Sequence, residues 1–585
     1  MSVTLMLIPS YAMNVSLEKY AKLWLGGILL LTALLYFRTA RFEFAVDDFP
    51  AIAQNQLVQK GFSGIPEIWS NSFYYGYDLR SEANEYRPLT SSFFAVQIAL
   101  FGSKNAGAMH LFSLLLYLAL LWLLFELLKA WKVDTKVILL TLGLFALHPT
   151  HTEVVANIKS QDELWMLLWL SLSLGFWERY TEGRHRQIWW SSVFYMLALF
   201  SKESALLFLP VFAWRLLPLD KTKWMKPLNL LPMAAAAIFF VSRLLVLTGS
   251  PEVTVVNNAL AYQTSRLDQL AMGFEFYARY LQKMLWPDAL IWSYDYSHFE
   301  LHGWGDWKSV LGLTLFLGSL FLLWFWRRDS QRTTALLWML GGLVLYIQIF
   351  FLIEATFADR FMFGASLGFL LLLVLWSDKV KYGAYLSLVL ALAYAWKSNE
   401  RIPNWKNNEK LYEADIEKAP NSIRANSALA FILSEKAQKV ENEEARLKLV
   451  HRSNELFEKA LNIYSEDANT WFNFGMNHLM TGEYTLSELA FKEAIRLNPN
   501  HTSAYNNLGN IYYMRKEPMQ AKTEYEKAVA SDYGNPEAWS NLGAMYLLTR
   551  QYDSAYFALS KADVLAPGNE NVQYNLGLAK KKLGY

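Results

Sequence analysis

The side chains best suited to chemistry in this chain are ionisable residues beside long apolar runs. Asp47 and Asp48 stand together in FEFAVDDFP. Adjacent carboxylates point different ways, so one can face a hydroxyl as a general base while the other holds a second group. The pair would also suit a divalent metal; the plain alternative is a solvated turn before Pro50. Arg87, in Tyr86-Arg87-Pro88-Leu89-Thr90, lies beside a proline-set turn. A guanidinium there can grip a lipid phosphate with two hydrogen bonds, or snorkel to headgroups. His148, His151 and Glu153 form an HxxHxE set. It lacks the i, i+4 histidine pair of a helical zinc site and Pro149 interrupts the helix, so hydrogen bonding is favoured over zinc. Lys159, Asp162 and Glu163 follow on the same segment. Lys202-Glu203, and Glu354 with Asp359-Arg360, divide later apolar runs. Each of these could be a structural ion pair inside a bundle. Charge near bilayer depth is costly and functional by default, and several clusters on one face describe a site for an anionic, hydroxyl-rich ligand.

Composition removes other chemistries. The chain has no cysteine, which excludes disulfides, thiolate metal sites and a cysteine nucleophile. A net charge of +2 does not point to nucleic acid. No Gly-rich phosphate loop or GxGxxG is present; a donor carried by a membrane lipid would need neither.

The elements that must position these groups are membrane helices. A crossing takes about 20 apolar residues. Eleven runs qualify as candidates: 20–37, 108–129, 136–150, 163–179, 187–202, 204–217, 230–247, 308–326, 334–354, 361–377 and 381–397. The first, preceded by Lys19 and Lys22, resembles a signal peptide but has no evident small-residue cleavage site, so it is read as retained. The run 91–101 is expected at the interface or inside the bundle. With a cytoplasmic N-terminus, the connections 129–136, 179–186, 215–226, 327–332 and 378–381 fall on the cytoplasmic side. Each is short and basic, as the positive-inside rule requires. The loops 38–107 and 248–307, and the motif segments above, then fall outside, together with the C-terminal region.

Residues 401–585 read as a soluble helical domain following the membrane domain 1–400. Gly475, Gly509, Gly543 and Gly577 recur every 34 residues, the tetratricopeptide (TPR) period. Trp471, Tyr505 and Trp539 recur in phase, as do Phe491 and Tyr525, Ala494, Ala528 and Ala562, and Pro499 and Pro567. A degenerate unit spans about 422–465, and a half-unit runs from Trp405 to Pro420. The fold class is therefore all-α: a polytopic membrane bundle of about eleven spans followed by an α-solenoid. Its concave face suits an extended peptide or partner.

The order of Asp47-Asp48, YRPLT, LFALHPTHTEVVANIKSQDEL, SKESA, LQKMLWPDALIWSYDYS, ATFADRFMFGASLGF and a TPR tail resembles the transmembrane and TPR repeat-containing O-mannosyltransferase family. The resemblance implies a GT-C glycosyltransferase that uses a polyprenyl- or dolichyl-phosphate sugar and acts on serine or threonine. It implies an acidic motif at Asp47 and Asp48, and a histidine-glutamate motif at His148, His151 and Glu153. Gln161 stands where the family has arginine, before Asp162. The expected reaction is inverting transfer. Asp47, or second Asp48, is the base; Arg87, Lys202 and Arg360 bind the donor phosphate; His148, His151, Glu153, Asp162 and Glu203 orient substrate. No cofactor is required by this scheme, though a divalent metal would be compatible with it. The expected partners are the lipid-linked donor, the membrane and a protein acceptor drawn in by the TPR groove. The expected location is a bacterial inner membrane, or the endoplasmic reticulum membrane of a eukaryote, with the TPR domain periplasmic or lumenal. A glycolipid or polysaccharide acceptor, and a non-enzymatic membrane-anchored scaffold, are the competing readings.

Overall fold

A computed structural model describes residues 18–77, 85–216, 227–247 and 253–585, apart from the Tyr296 side chain. Among these residues every regular element is helical, and contacts divide the chain into two compact units, Met1–Ala419 and Pro420–Tyr585.

The first unit contains α1 (Ala21–Tyr36), α2 (Pro88–Phe101), α3 (Ala106–Ala130), α4 (Thr135–Leu147), α5 (Gln161–Thr181), α6 (Gln187–Ser201) and α7 (Leu209–Leu216). It continues with α8 (Leu231–Val246), α9 (Arg266–Leu285), α10 (Trp307–Phe325), α11 (Ser330–Leu343), α12 (Phe363–Ser377) and α13 (Gly383–Arg401). Among the described residues five stretches are long and apolar enough to cross a membrane: Ala21–Arg41, Ala106–Ala130, Pro227–Val246, Trp307–Phe325 and Asp359–Ser377. Thr135–Leu147 and Pro149–Ala156, bent by 52° at His148, make a sixth if they cross as one. The remaining runs form helices that are shorter or more charged; α5, for example, carries Asp162, Glu163, Glu178 and Arg179, and the run 334–354 is helical only as far as Leu343. Leu23, Trp24, Leu30, Leu31 and Leu34 on α1 are exposed, as expected where lipid rather than water surrounds the helix.

Where α-helices begin, short polar side chains satisfy the free N–H groups. Asn105 accepts from Ala108 N, Asp134 from Lys136 N, Asp306 from Lys308 N and Asp329 from Arg332 N. The last three of these caps start helices that follow loops, so the helix entries were set locally.

The basic connections gather at one end of the bundle. Lys136 Nζ pairs with Asp378 at 2.7 Å, and Gln331 Nε2 donates to Lys132 O at 2.6 Å. Arg215 Nη1 donates to Ser330 Oγ at 2.8 Å, and its Nε donates to Glu178 at 2.6 Å. Four of the five basic connections are thus joined directly, and the fifth, 179–186, follows Glu178, the partner of Arg215. Lys221, Lys223 and Lys226 lie outside the described residues.

At the other end, the segment after α1 folds onto α2. Ile52, Leu57, Val58, Ile68 and Phe73 bury with Phe94, Ala95 and Ile98 of α2, and with Met109 and Ile158. The run 91–101 is therefore a packing helix of the bundle. A second core joins α9, α11 and the loops beside them, with Tyr280 stacked on Phe357 and Tyr346 on Phe361, both at 4.0 Å. The half-unit read at Trp405–Pro420 belongs to this first unit. Arg401 pairs with Asp415 at 2.8 Å, and Asp415 also accepts from Trp292 N.

The second unit pairs Ile423–Gln438 with Glu443–Ile463, then Ala468–Met480 with Tyr484–Leu497, Thr502–Met514 with Pro518–Ser531, and Pro536–Leu548 with Tyr552–Leu565, ending on Glu570–Leu583. The repeat glycines have a physical cause. A Cβ on Gly475 would lie 2.8 Å from the Phe491 ring, and one on Gly509 would lie 2.6 Å from the Tyr525 ring. Each glycine lets its helix approach the aromatic of its own repeat. Gly577, on the final helix, has nothing within 4 Å of that position.

Candidate functional site

The charged motifs meet at the end of the bundle away from the basic connections. Arg87, just before α2, is the hub. Its Nε and Nη2 donate to both oxygens of Glu203 at 3.0 and 2.7 Å. Its Nη1 donates to Asp162 at 2.7 Å and lies 2.9 Å from Glu85, while its plane rests on the Phe73 ring. Burial opposes the Arg87 charge, but Glu203, Glu85 and Asp162 outweigh that effect and hold the guanidinium cationic. Lys202 pairs with Asp162 at 3.1 Å and Glu163 at 2.9 Å, and Lys159 approaches Asp162 at 3.7 Å. Arg87 and Lys202 are both buried, so a phosphate reaching either would compete with carboxylates already seated.

Arg360 differs. It has one carboxylate partner, Glu153, which accepts from Nη1 at 2.6 Å and from the Arg360 backbone N at 3.1 Å. Its side chain remains 16% exposed, against 5% for Arg87. Its neighbour Asp359 is buried and accepts from Tyr294 Oη at 2.8 Å.

The two acids after α1 part company. Asp48 is fully buried; Oδ2 accepts from Ala45 N at 2.9 Å and Oδ1 from Lys159 N at 2.6 Å. It ties this segment to the loop before α5, where Asn157 Nδ2 donates to Ala45 O. Both Asp48 oxygens are engaged by backbone amides and the side chain is shut off from solvent. Asp47 is partly exposed, and its carboxylate has no hydrogen bond or ion pair with another described residue, while its backbone carbonyl accepts from Ala51 N. The preceding Val46 has φ 44°, a left-handed conformation that is rare for a β-branched residue and marks stored strain at this turn. Asp47 lies within electrostatic reach of Arg360 and Tyr74.

Burial pushes the Asp48 carboxyl up to about 7, against the pull of its two amide donors. A carboxyl raised in the folded state binds its proton more tightly there than when unfolded. Its contribution to stability is full below the ordinary aspartate range and is lost as pH rises through about 7. Asp48→Asn is therefore expected to flatten the fall in Tm between about pH 4 and 7, followed by tryptophan fluorescence. It should also lower Tm throughout, because one amide donor loses its acceptor. A pH slope identical to that of the wild type would refute this role.

The histidines serve the fold. His148 Nε2 meets Met284 O at 2.9 Å, and Nδ1 meets Thr150 Oγ1 at 2.8 Å. His151 Nδ1 meets Tyr117 Oη at 3.0 Å, and Nε2 meets Ser366 Oγ at 2.9 Å. Both rings are fully buried and all four nitrogens are occupied, so in this arrangement neither ring faces a ligand. Gln161 is likewise internal, bonded to Gln97 and Ser113. Among the described residues no three His, Asp or Glu side chains are gathered to hold a metal ion.

Two members of the cluster had not been singled out. Glu85 supplies a third carboxylate to Arg87. Tyr74 lies among Glu85, Asp47, Arg87 and Asp162; burial first, then the nearby carboxylates, push its phenol up. Glu85 stands two residues before Arg87, and Tyr74 lies in the aromatic run SFYYGY. Neither pattern is distinctive without the fold.

TPR family models match residues 468–501, 490–523 and 515–570. A mouse protein named Protein O-mannosyl-transferase TMTC4 is 24% identical over 465 residues, covering 68% of this chain and 62% of its own length. A Caenorhabditis elegans protein named Protein O-mannosyl-transferase F38B6.6 is 22% identical over 410 residues, covering 67% of this chain and 57% of its own. This chain thus spans about three fifths of the length of these relatives. A crystal structure of MamA is 20% identical, covering 29% of this chain and 92% of that one, with a TM-score of 0.24. Pro420–Tyr585 is less than a third of the chain, so a match over 68% of it extends well into the membrane unit. The homologues of this chain are protein O-mannosyl-transferases, and its C-terminal unit is built of tetratricopeptide repeats.

Proposed function

We propose that this protein is a membrane glycosyltransferase that moves mannose from a polyprenyl- or dolichyl-phosphate donor to serine or threonine hydroxyls of proteins on the non-cytoplasmic side. One observation carries this reading. Five sequence-distant segments bring Asp47, Arg87, Glu153, Asp162, Lys202, Glu203 and Arg360 to one end of the bundle, opposite the basic connections.

The acceptor hydroxyl attacks the anomeric carbon from the face opposite the phosphate. The new C–O bond forms as the bond to the phosphate oxygen breaks, and the hydroxyl proton passes to Asp47. The lipid phosphate leaves as an anion, and Arg360, the cation with exposed surface, balances it. Arg87 and Lys202 hold the carboxylate framework and contribute field rather than direct contact. Glu153 aims Arg360 through its main chain and side chain. His148 and His151 brace the bent segment that carries Glu153. The solenoid captures the acceptor protein and raises its local concentration.

The purified protein, given mannosyl-phosphoryl-polyprenol and a serine/threonine peptide, is expected to release polyprenyl phosphate and mannosylated peptide in equal amounts. Turnover with a soluble nucleotide sugar and no lipid would overturn the donor class.

Sidedness has its own test. Ser503 is exposed on the solenoid, and Ser503→Cys in this cysteine-free chain is expected to react with an impermeant maleimide in intact cells or right-side-out vesicles. Labelling only after permeabilisation would reverse the orientation.

A further inference from the structure

A groove far from the charged cluster carries groups that the transfer reaction does not use. Helix α5 has 21 residues, which sets its ends about 30 Å apart. Asp162 lies in its first turn; near its far end, between α3 and α5, is a groove of about 600 Å³. Its walls are Leu123 and Leu127 from α3 and Leu172, Gly175 and Phe176 from α5. Its mouth carries Glu126, Lys129, Glu178, Arg179, Glu182 and Arg184.

Glu178 is occupied by Arg215, through hydrogen bonds of 2.6 and 2.7 Å. The other five form no ion pair with a described residue. Arg179 lies over the Phe176 ring and Lys129 over Phe125. Unpaired charges of both signs thus ring an apolar slot at the end of a membrane helix.

Gly175 is the second observation. Glycine weakens a helix interior, and at some positions of this bundle close approach accounts for it, though not at Gly143 or Gly318. A Cβ on Gly273 would lie 2.4 Å from Ile347 O, and one on Gly341 would lie 2.7 Å from Leu207 O. On Gly175 it would meet nothing within 4 Å. With no Cβ, Gly175 keeps the floor of the slot open between α3 and α5.

We propose that the groove binds one membrane glycerophospholipid whose headgroup carries both a phosphate and a primary amine. The phosphate sits among Lys129, Arg179 and Arg184, and the ammonium is held by Glu126 and Glu182. An acyl chain runs across Gly175 between the leucines and Phe176. A headgroup with only negative charge would face two carboxylates. A quaternary amine has no N–H to donate to them. The bound lipid ties the ends of α3 and α5 together at the side opposite the reacting atoms.

The full-length protein in nanodiscs of equal phosphatidylethanolamine, phosphatidylcholine and phosphatidylglycerol, released for native mass spectrometry, tests this. One phosphatidylethanolamine per chain is expected to remain at energies that strip phosphatidylcholine. Gly175→Phe, which fills the groove, is expected to abolish that retention. Arg179→Gln with Arg184→Gln, both exposed, should lower it roughly tenfold through lost charge-assisted contacts. Equal retention of the three lipids, or unchanged retention in both variants, overturns the site. Preferential retention of phosphatidylglycerol overturns the headgroup assignment. The readout involves no sugar transfer, so it is independent of the proposed reaction.

Discussion

Asp47→Asn is expected to lower transfer by about 10²–10⁴-fold, the range associated with loss of a positioned general base. The substitution keeps the shape of the side chain, and the Asp47 carboxylate holds no other described residue by a hydrogen bond or ion pair. Folding should be unaffected, with Tm close to that of the wild type. The kinetic pattern is specific. Asp47 lies near Arg360, so neutralising it leaves that cation freer to bind an incoming phosphate. The loss should fall on kcat while KM for the lipid donor stays level or drops. A tenfold or greater rise in donor KM with kcat preserved would mean that Asp47 builds the donor site and that another group takes the proton.

The second large effect is structural. Arg87→Gln is expected to destabilise the first unit by about 3–5 kcal/mol, the scale for breaking a buried ion pair by removing one partner. Glu203, Asp162 and Glu85 would then face one another with Lys202 and Lys159 as the cations left beside them. Arg87→Lys should restore only part of the loss, because a single ammonium cannot bond both Glu203 oxygens and Asp162 in the same geometry. Arg360→Gln is the contrast. With one carboxylate partner and a partly exposed side chain, it should fold and lose donor turnover. Monodispersity and thermal melts in detergent separate the cases. An Arg87→Gln protein that melts like the wild type but binds donor weakly would make Arg87 a phosphate ligand and would undo the division of labour between the two arginines.

The sequence by itself determined the solenoid and the grouping of the loops. Stacked repeats impose the same local contact each time, so the glycine that admits the Phe491 or Tyr525 ring recurs at a constant spacing and is visible in one dimension. Charge at the ends of apolar runs is also local, and four of the five basic connections it marked are joined directly. Tertiary structure alone decided which charged residues remain available. Asp47 and Asp48 are neighbours in the chain, yet backbone amides at Ala45 and Lys159 occupy only the second. Arg87 reaches Asp162 and Glu203 across 75 and 116 residues, and Glu85 and Tyr74 join them through the folding of one loop onto α2. The physical reason is common to all of these. Whether an ionisable side chain is exposed, paired or buried depends on which distant segment packs against it, and the spacing of residues along a helix carries no record of that partner.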